Sequence, residues 1–142
     1  MFKLFLYPLL IAAIYLDVYH FSENKDEFYL NSSPIEICET LSIEDMAELV
    51  LGFVFDSKNP LLFIPQNVRI LDIHFIDEYA LLVVSLSSEA TLYGGTFFEH
   101  MFIETLLANV ATLPGVGYFT LQIENRTIHL PEGRKIFEHR LH

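Results

Sequence analysis

Cysteine is nearly absent from this chain, since Cys38 is the only one among 142 residues. A single cysteine cannot close an intramolecular disulfide, and it has no second thiol with which to form a zinc knuckle or a redox pair. Apolar residues make up 52% of the sequence, which argues against a disordered chain and leaves enough material for one hydrophobic core. We therefore expect Cys38 to be a small apolar filler.

Basic residues are also scarce, with 8 Lys and Arg against 19 Asp and Glu and a formal net charge of −11. Nucleic-acid binding needs a clustered basic surface, so no nucleic-acid partner is expected. The acidic surface also disfavours broad binding to an anionic membrane face. Arg134, Lys135 and Arg140 fall near the end, and we predict a solvated basic tail over residues 134–142 that offers Arg134 and Lys135 as contact points.

Catalytic and ligand-binding motifs are missing as well. The serines of "VVSLSSE" are not in a G-x-S-x-G turn, and Gly115-Val116-Gly117 precedes a strand pattern where a phosphate loop precedes a helix. His139 and His142 lie too close to the chain end for a supported metal site, and His74 is predicted to be an exposed strand residue. The sequence thus predicts no catalytic residue, no metal and no cofactor.

The longest apolar stretch is at the N-terminus, "MFKLFLYPLLIAAIYLDVYHF", with an unbroken run from Leu4 to Leu16. A helix needs about 20 residues to cross the hydrocarbon core, and only with Val18 to Phe21 does this segment approach that length. No small-x-small cleavage site follows. We predict an uncleaved signal anchor, a hydrophobic helix over residues 1–21, with Lys3 inside and a linker at 22–27 outside. A buried N-terminal helix is the alternative.

Two stretches have helical periodicity. In "LSIEDMAELVLGFVF", Ser42 is the expected N-cap, and Met46, Leu49, Val50, Phe53 and Val54 share one face. In "GGTFFEHMFIETLLANVATLPG", Thr96 and Glu99 are predicted to form a capping box before Pro114-Gly115 ends the helix. The apolar stripe of this second helix consists of Phe98, Phe102, Leu106 and Val110, widened by Ile103 and Leu107.

Three stretches alternate as strands do. Their inward residues are predicted to be Leu71, Ile73 and Phe75, then Leu82, Val84 and Leu86, then Phe119, Leu121 and Ile123. Asp77-Glu78 and Asn125-Arg126 are the predicted turns, and "EFYLNSSPIEICE" is a weaker strand candidate with a turn at "NSSP". The fold class is therefore α+β, a single small domain with a mostly antiparallel sheet, two helices on one face, and the hydrophobic helix before it.

The order of these elements resembles the GerMN domain of sporulation and spore-germination proteins. The likeness lies in "IPQNVRILDIHFIDEYALLVVSLSSE", "GGTFFEHMFIETLLANVATL" and "PGVGYFTLQIENRTI", and it covers about residues 40 to 130 of a domain placed at 28–133. Arg126 stands where the family prefers glycine after the turn asparagine, and the lipidated cysteine of some members is missing.

The resemblance implies a non-catalytic, extracytoplasmic scaffold in the cell membrane, anchored by the N-terminal helix, which binds envelope or sporulation proteins or a second copy of itself. An envelope hydrolase or its regulator is one alternative, and a binder of cell-wall fragments is another. An aromatic platform for such fragments would come from Tyr79, Tyr93 and Phe97. Together with Arg134 and Lys135, these are the candidate partner-binding residues.

Overall fold

The computed structural model describes residues 14–37 and 41–142. Within these ranges six strands and two α-helices alternate in the order β1, β2, α1, β3, β4, α2, β5 and β6. Their bounds are β1 Ile14–Asn24, β2 Glu27–Ile37, α1 Ile43–Val54, β3 Ile70–Ile76, β4 Leu81–Leu86, α2 Thr96–Ala111, β5 Tyr118–Ile123 and β6 His139–Arg140. Short 3₁₀ turns lie at Asp77–Tyr79 and Ser88–Thr91.

The strands form two sheets. β1 and β2 make an antiparallel hairpin, and the second sheet has the order β3-β4-β5-β6. β4 and β5 pair in parallel, whereas β3 and β6 run antiparallel to their neighbours. The single α+β domain is confirmed, but the predicted sheet is divided in two and its central pair is parallel. The physical reason is that α2 provides the crossover that a parallel pair requires.

The core lies on one face of the four-stranded sheet. The inward residues predicted for β4 and β5 are buried there, and both helices and the hairpin contribute to the same cluster. The cluster runs from Leu16 to Ile136, so the folded unit extends beyond both ends of the predicted 28–133 domain. The buried side chains of the two central strands are Leu82, Val84, Leu86, Phe119, Leu121 and Ile123.

The N-terminal helix predicted for residues 1–21 is not what the structure contains at 14–21, which belong to β1. Residues 1–13 of that prediction lie outside the described residues. Leu16 and Val18 are buried whereas Tyr15 and Asp17 are exposed, a period of two that is concealed in a nearly continuous apolar run. The predicted linker at 22–27 is the end of this hairpin, with its turn at Lys25-Asp26. Across 14–37 and 41–142 no helix has the length and apolarity to cross a membrane.

The turn predicted at "NSSP" is also wrong, because β2 continues through it. Asn31, Ser32, Ser33 and Pro34 each have a partner in the β1 register. The turn chemistry of these residues is local and weak, and here the eleven-residue ladder with β1 prevails over it. Cys38 lies outside the described residues.

The predicted stripe of α2 is confirmed, since Phe102, Ile103, Leu106 and Val110 are buried, whereas the face of α1 is shifted. Ser42 caps α1 as expected, its Oγ accepting the Asp45 N–H at 3.1 Å, but Leu49 and Phe53 are exposed. Gly95, not Thr96, is the N-cap of α2. The buried positions of α2 surround the helix because the sheet and the hairpin cover different sides of it.

The C-terminal residues are packed, contrary to the predicted solvated tail at 134–142. Ile136 is buried, and its carbonyl accepts the Leu121 N–H at 3.0 Å. β6 then pairs with β5, where His139 opposes Phe119. The charged side chains that suggested a loose tail point outwards from a segment whose backbone and apolar residues complete the sheet.

Candidate functional site

Three phenylalanine rings from three elements meet near the tip of the hairpin. Phe28 belongs to β2, Phe63 to the loop before β3, and Phe97 to the first turn of α2. The ring centroids are 4.9 Å apart for Phe28 and Phe63, 5.4 Å for Phe63 and Phe97, and 5.9 Å for Phe28 and Phe97. Phe28, Phe97 and neighbouring Leu62 are 37%, 54% and 40% exposed. We call Phe28, Leu62, Phe63 and Phe97 the aromatic patch.

A second row of rings supports the aromatic patch from below. Phe98 contacts Phe63 edge to face at 5.9 Å, and Tyr93 stacks on Phe98 at 4.9 Å. Tyr93 in turn contacts fully buried Phe102. Each such aromatic pair contributes about 0.5–1.5 kcal/mol beyond its buried area. The exposed rings are therefore connected to the core through a continuous series of ring contacts, which fixes their positions.

Phe63 has a backbone conformation that is unusual for a bulky residue. Its φ is +60°, in the left-handed region, which costs a non-glycine residue roughly 1–2 kcal/mol. Such strain persists only where the surroundings hold the residue in place, and it concentrates at binding sites. Here Phe21, Phe28, Phe97 and Phe98 hold the Phe63 ring.

A buried carboxylate fixes the base of the patch. Glu99 in α2 is 1% exposed and accepts three hydrogen bonds: from the Tyr93 hydroxyl at 2.7 Å, the Glu132 N–H at 2.9 Å and the Arg134 N–H at 3.2 Å. The Glu132 carboxylate accepts the Gly95 N–H at 2.6 Å. Glu99 therefore ties the start of α2 to the C-terminal segment. These contacts replace the predicted capping box, in which the Glu99 side chain would have accepted the Thr96 N–H.

Of the predicted partner-binding residues, Phe97 lies in the aromatic patch and is exposed. Tyr93 is half-buried beneath the patch. Burial, followed by the hydrogen bond to Glu99, raises the pKa of the Tyr93 phenol well above its usual range. Tyr93 thus acts as a neutral donor within the fold.

Arg134 and Lys135 are exposed but lie on an ordered segment. The Arg134 main chain is bound by Glu99 and by the Leu130 N–H, which donates to the Arg134 carbonyl at 2.6 Å. The Lys135 ammonium lies 5.9 Å from the centroid of the Phe137 ring, a cation–π distance.

Tyr79 is not brought together with Tyr93 and Phe97, so the predicted three-ring platform is not formed. Tyr79 is 64% exposed and lines a separate shallow depression of about 320 Å³ with Leu81, Tyr118 and Glu138. The depression opens on the sheet face opposite the core, because Tyr118 precedes inward Phe119 and Leu81 precedes inward Leu82.

The side chains considered for chemistry have structural roles or face solvent. Ser85 and Ser87 are buried and accept backbone N–H groups from Asn125 and Arg69. His74 is exposed, as predicted. In the part of the chain that the structure describes, no group of three His, Cys, Asp or Glu side chains is arranged to hold a metal ion.

Phe28, Leu62 and Phe63 were not predicted as surface residues. Phe28 lies in the weak strand candidate. Phe63 lies in a loop, where no periodicity indicates whether a side chain is buried or exposed. The one available signal was compositional, since the chain holds 13 phenylalanines, more than its predicted core stripes use.

The sequence matches no protein-family profile and no curated protein sequence. The fold does match solved structures. The first GerMN domain of the sporulation protein GerM from Bacillus subtilis aligns with a TM-score of 0.65 at 12% identity, covering 92% of this chain and 96% of that one. The tandem GerMN domains of GerM align with a TM-score of 0.61 at 15% identity, and the alignment covers 93% of this chain and 46% of that one. A candidate lipoprotein from Clostridium perfringens aligns at 0.53 and 15% identity, covering 85% of this chain and 81% of that one.

The architecture is thus that of a small α+β module with an exposed aromatic surface. More particularly, the chain has the fold of a GerMN domain, and it corresponds in length to one such domain rather than to the tandem pair.

Proposed function

We propose that this chain is a non-catalytic contact module that works on the outer side of the cytoplasmic membrane, and that the aromatic patch binds a protein partner. The triangle of Phe28, Phe63 and Phe97, of which Phe28 and Phe97 are exposed, is the observation that carries the proposal. Aromatic residues are enriched in the cores of protein interfaces, where a few well-supported side chains provide most of the binding energy.

The surroundings of the patch have the composition of an interface rim. Glu23 lies directly opposite Phe28 in the hairpin register, and the Lys25-Asp26 turn adds a charge of each sign. An apolar centre bordered by charged residues is typical of a contact surface that also stays soluble when unoccupied.

The likeness to a sporulation protein and to a candidate lipoprotein supports a role in the bacterial envelope during sporulation or germination. The apolar residues from Leu4 to Ala13 support export, since a signal sequence needs about 7–15 of them. Membrane attachment would be made by residues before Ile14, because β1 uses those that follow. Partners would be envelope or sporulation proteins.

The test compares a double phenylalanine variant with a single control variant in a host that depends on this chain. Phe28→Ser with Phe97→Ser removes the exposed rings of the patch, and we expect loss of sporulation or germination together with loss of partner cross-linking. Phe137→Ser is the matched control, because Phe137 is 57% exposed and lies outside the patch. Circular dichroism should show a folded chain in all of them, and the melting temperature of the double variant should fall moderately because three ring contacts are lost.

Full activity of the Phe28→Ser, Phe97→Ser variant would refute this function. A hydrolase would instead be indicated if His74→Ala or Glu78→Gln abolished activity while the fold and partner binding were retained. Glu99→Gln is unsuitable for this purpose, because Glu99 is part of the hydrogen-bonded base of the patch.

A binder of cell-wall fragments is the second candidate, and the depression beside Tyr79 is the observation that favours it. The rings of Tyr79 and Tyr118 offer stacking surfaces, and Glu138 offers hydrogen-bond acceptors for hydroxyl groups. Loss of wall-fragment binding in Tyr79→Ser, with the patch variants unaffected, would assign the function to this depression.

A further inference from the structure

Among the described residues no strand pairs with the outer edge of β3, and α1 lies alongside it. We infer that this edge binds an extended, basic segment of a partner protein as an additional strand. The site is separate from the aromatic patch, and its test does not depend on the function proposed for the patch.

Within residues 14–37 and 41–142, β3 is the outer strand of the four-stranded sheet and pairs only with β4. The Phe75 N–H points away from β4, since it donates to the Glu44 carboxylate at 3.4 Å, a long and weak contact. Backbone groups of an antiparallel strand alternate in direction, so the N–H and C=O of Ile73 face the same open side. An added strand would find donors and acceptors there.

The other long edge is closed by comparison. On β2, Pro34 has no N–H to offer, and the Ser32 N–H is bound by the Asn31 side chain at 2.9 Å. On the far side of the hairpin, the Tyr19 N–H of β1 is bound by Asn109. β6 has only two residues. Among the described strands, β3 therefore has the edge best suited to strand addition.

A groove runs between this edge and α1. It has a volume of about 270 Å³ and is lined by Glu44, Glu48, Ile70, Leu71, Asp72 and Ile73. A second depression of about 310 Å³ continues it along α1, and the two share Glu48. Leu71 lies at a bulge in the β3–β4 register and is only half-buried, and Leu49 is exposed beside Glu48.

The charge of the groove determines the kind of occupant. The carboxylates of Glu44, Asp45, Glu48 and Asp72 line the two depressions, and no Lys, Arg or His among the described residues does. A second copy of this chain would bring the same carboxylates face to face, which like-charge repulsion opposes. A segment that alternates basic and apolar residues would place cations against the carboxylates and apolar side chains on Leu71 and Leu49.

The probe for this inference is a ten-residue capped peptide of alternating Lys and Val, added to the full 142-residue chain in detergent micelles. The peptide should bind more tightly than its Glu-Val counterpart. Binding should protect the Ile73 amide from hydrogen exchange. A Lys-Val peptide that is N-methylated at every residue should lose both effects, because it keeps its charge but has no N–H to donate from either edge. The control for the protein is unchanged dispersion of the core amides.

Two variants test the role of the groove. Glu44→Gln with Glu48→Gln should weaken binding roughly three- to tenfold, as expected for two partly exposed ion pairs. Asp17→Asn with Glu36→Gln removes the same charge from exposed hairpin positions and should leave the dissociation constant within about twofold.

Equal affinity for the Lys-Val and Glu-Val peptides would overturn the inference. So would equal affinity for the N-methylated peptide, an equal effect of both variant pairs, or protection of the Ile73 amide by self-association without peptide.

Discussion

Asn109 is a buried side chain that acts in place of a neighbouring strand. Its Oδ1 accepts the Tyr19 N–H at 2.7 Å, and its Nδ2 donates to the Tyr19 carbonyl at 2.9 Å and the Thr105 carbonyl at 2.8 Å. One amide thus satisfies the outward backbone groups of β1 and joins the hairpin to α2. Position 109 lies between the apolar residues of a helical stripe, and nothing in its local sequence indicates this contact.

Asn109→Ala should lower the free energy of unfolding by about 2–3 kcal/mol, because it leaves the Tyr19 N–H and C=O without partners in a partly buried position. Urea denaturation measures this change, and hydrogen exchange at the Tyr19 amide should become faster. Asn31→Ala is the control: it removes an exposed side-chain acceptor from β2 and should cost less than about 0.5 kcal/mol. Equal losses in the two variants would contradict the role given to Asn109.

At the scale of elements, α1 shows how a helix is oriented by what covers it. The periodicity of its apolar residues allows a wide stripe, and the structure buries Met46, Ala47, Val50, Leu51 and Val54. Leu49 and Phe53 are left at the surface. The core therefore selects one side of the stripe, and Leu49 becomes available to the groove beside β3.

Two leucines of α1 provide a direct comparison of these sides. Leu51 is 1% exposed and Leu49 is 48% exposed. Leu51→Ala should destabilise the fold by about 2–5 kcal/mol through lost burial and a residual cavity. Leu49→Ala should cost less than about 1 kcal/mol, since helix propensity favours alanine and little burial is lost. Denaturant midpoints measure both, and a larger loss for Leu49→Ala would mean that the helix is rotated from its assigned orientation.

At the scale of the whole molecule, one core joins the hairpin, both helices and the four-stranded sheet. Two binding surfaces are proposed on this framework: the aromatic patch at the hairpin tip and the open edge of β3. Because they involve different elements, a single copy is able to contact two partners at once. Such an arrangement suits a module that connects components of an assembly.

The proposed location gives a prediction for the complete chain. Protease added to intact spheroplasts should degrade residues 14–142, and membrane fractions should contain the undigested protein. We expect this degradation because the apolar segment that begins at Leu4 directs export of the chain. A cytoplasmic protein of known location should stay intact as the control. Protection of this chain to the same degree would contradict the extracytoplasmic location.

The sequence by itself determined those features whose signals are local. The Ser42 cap, the alternation of Phe119, Leu121 and Ile123, and the order of elements that resembles GerMN domains could all be inferred from neighbouring residues. Turn signals were less exact. The turn predicted at Asn125-Arg126 is centred on Glu124-Asn125, both with positive φ, so Arg126 closes the hairpin and the family's glycine is not required there.

Only the tertiary structure decided which contacts distant residues make. The apolar run that begins at Leu4 suits a helix or a strand equally well, and pairing with β2 made its described end, from Ile14, part of a strand. Glu99 has the spacing of a capping box, but donors more than 30 residues away bind it instead. The aromatic patch joins Phe28, Phe63 and Phe97 across three elements, and no periodicity within one element brings them together. Sequence patterns report the environment along one element, whereas partners across elements are set by packing, whose energy depends on the whole fold.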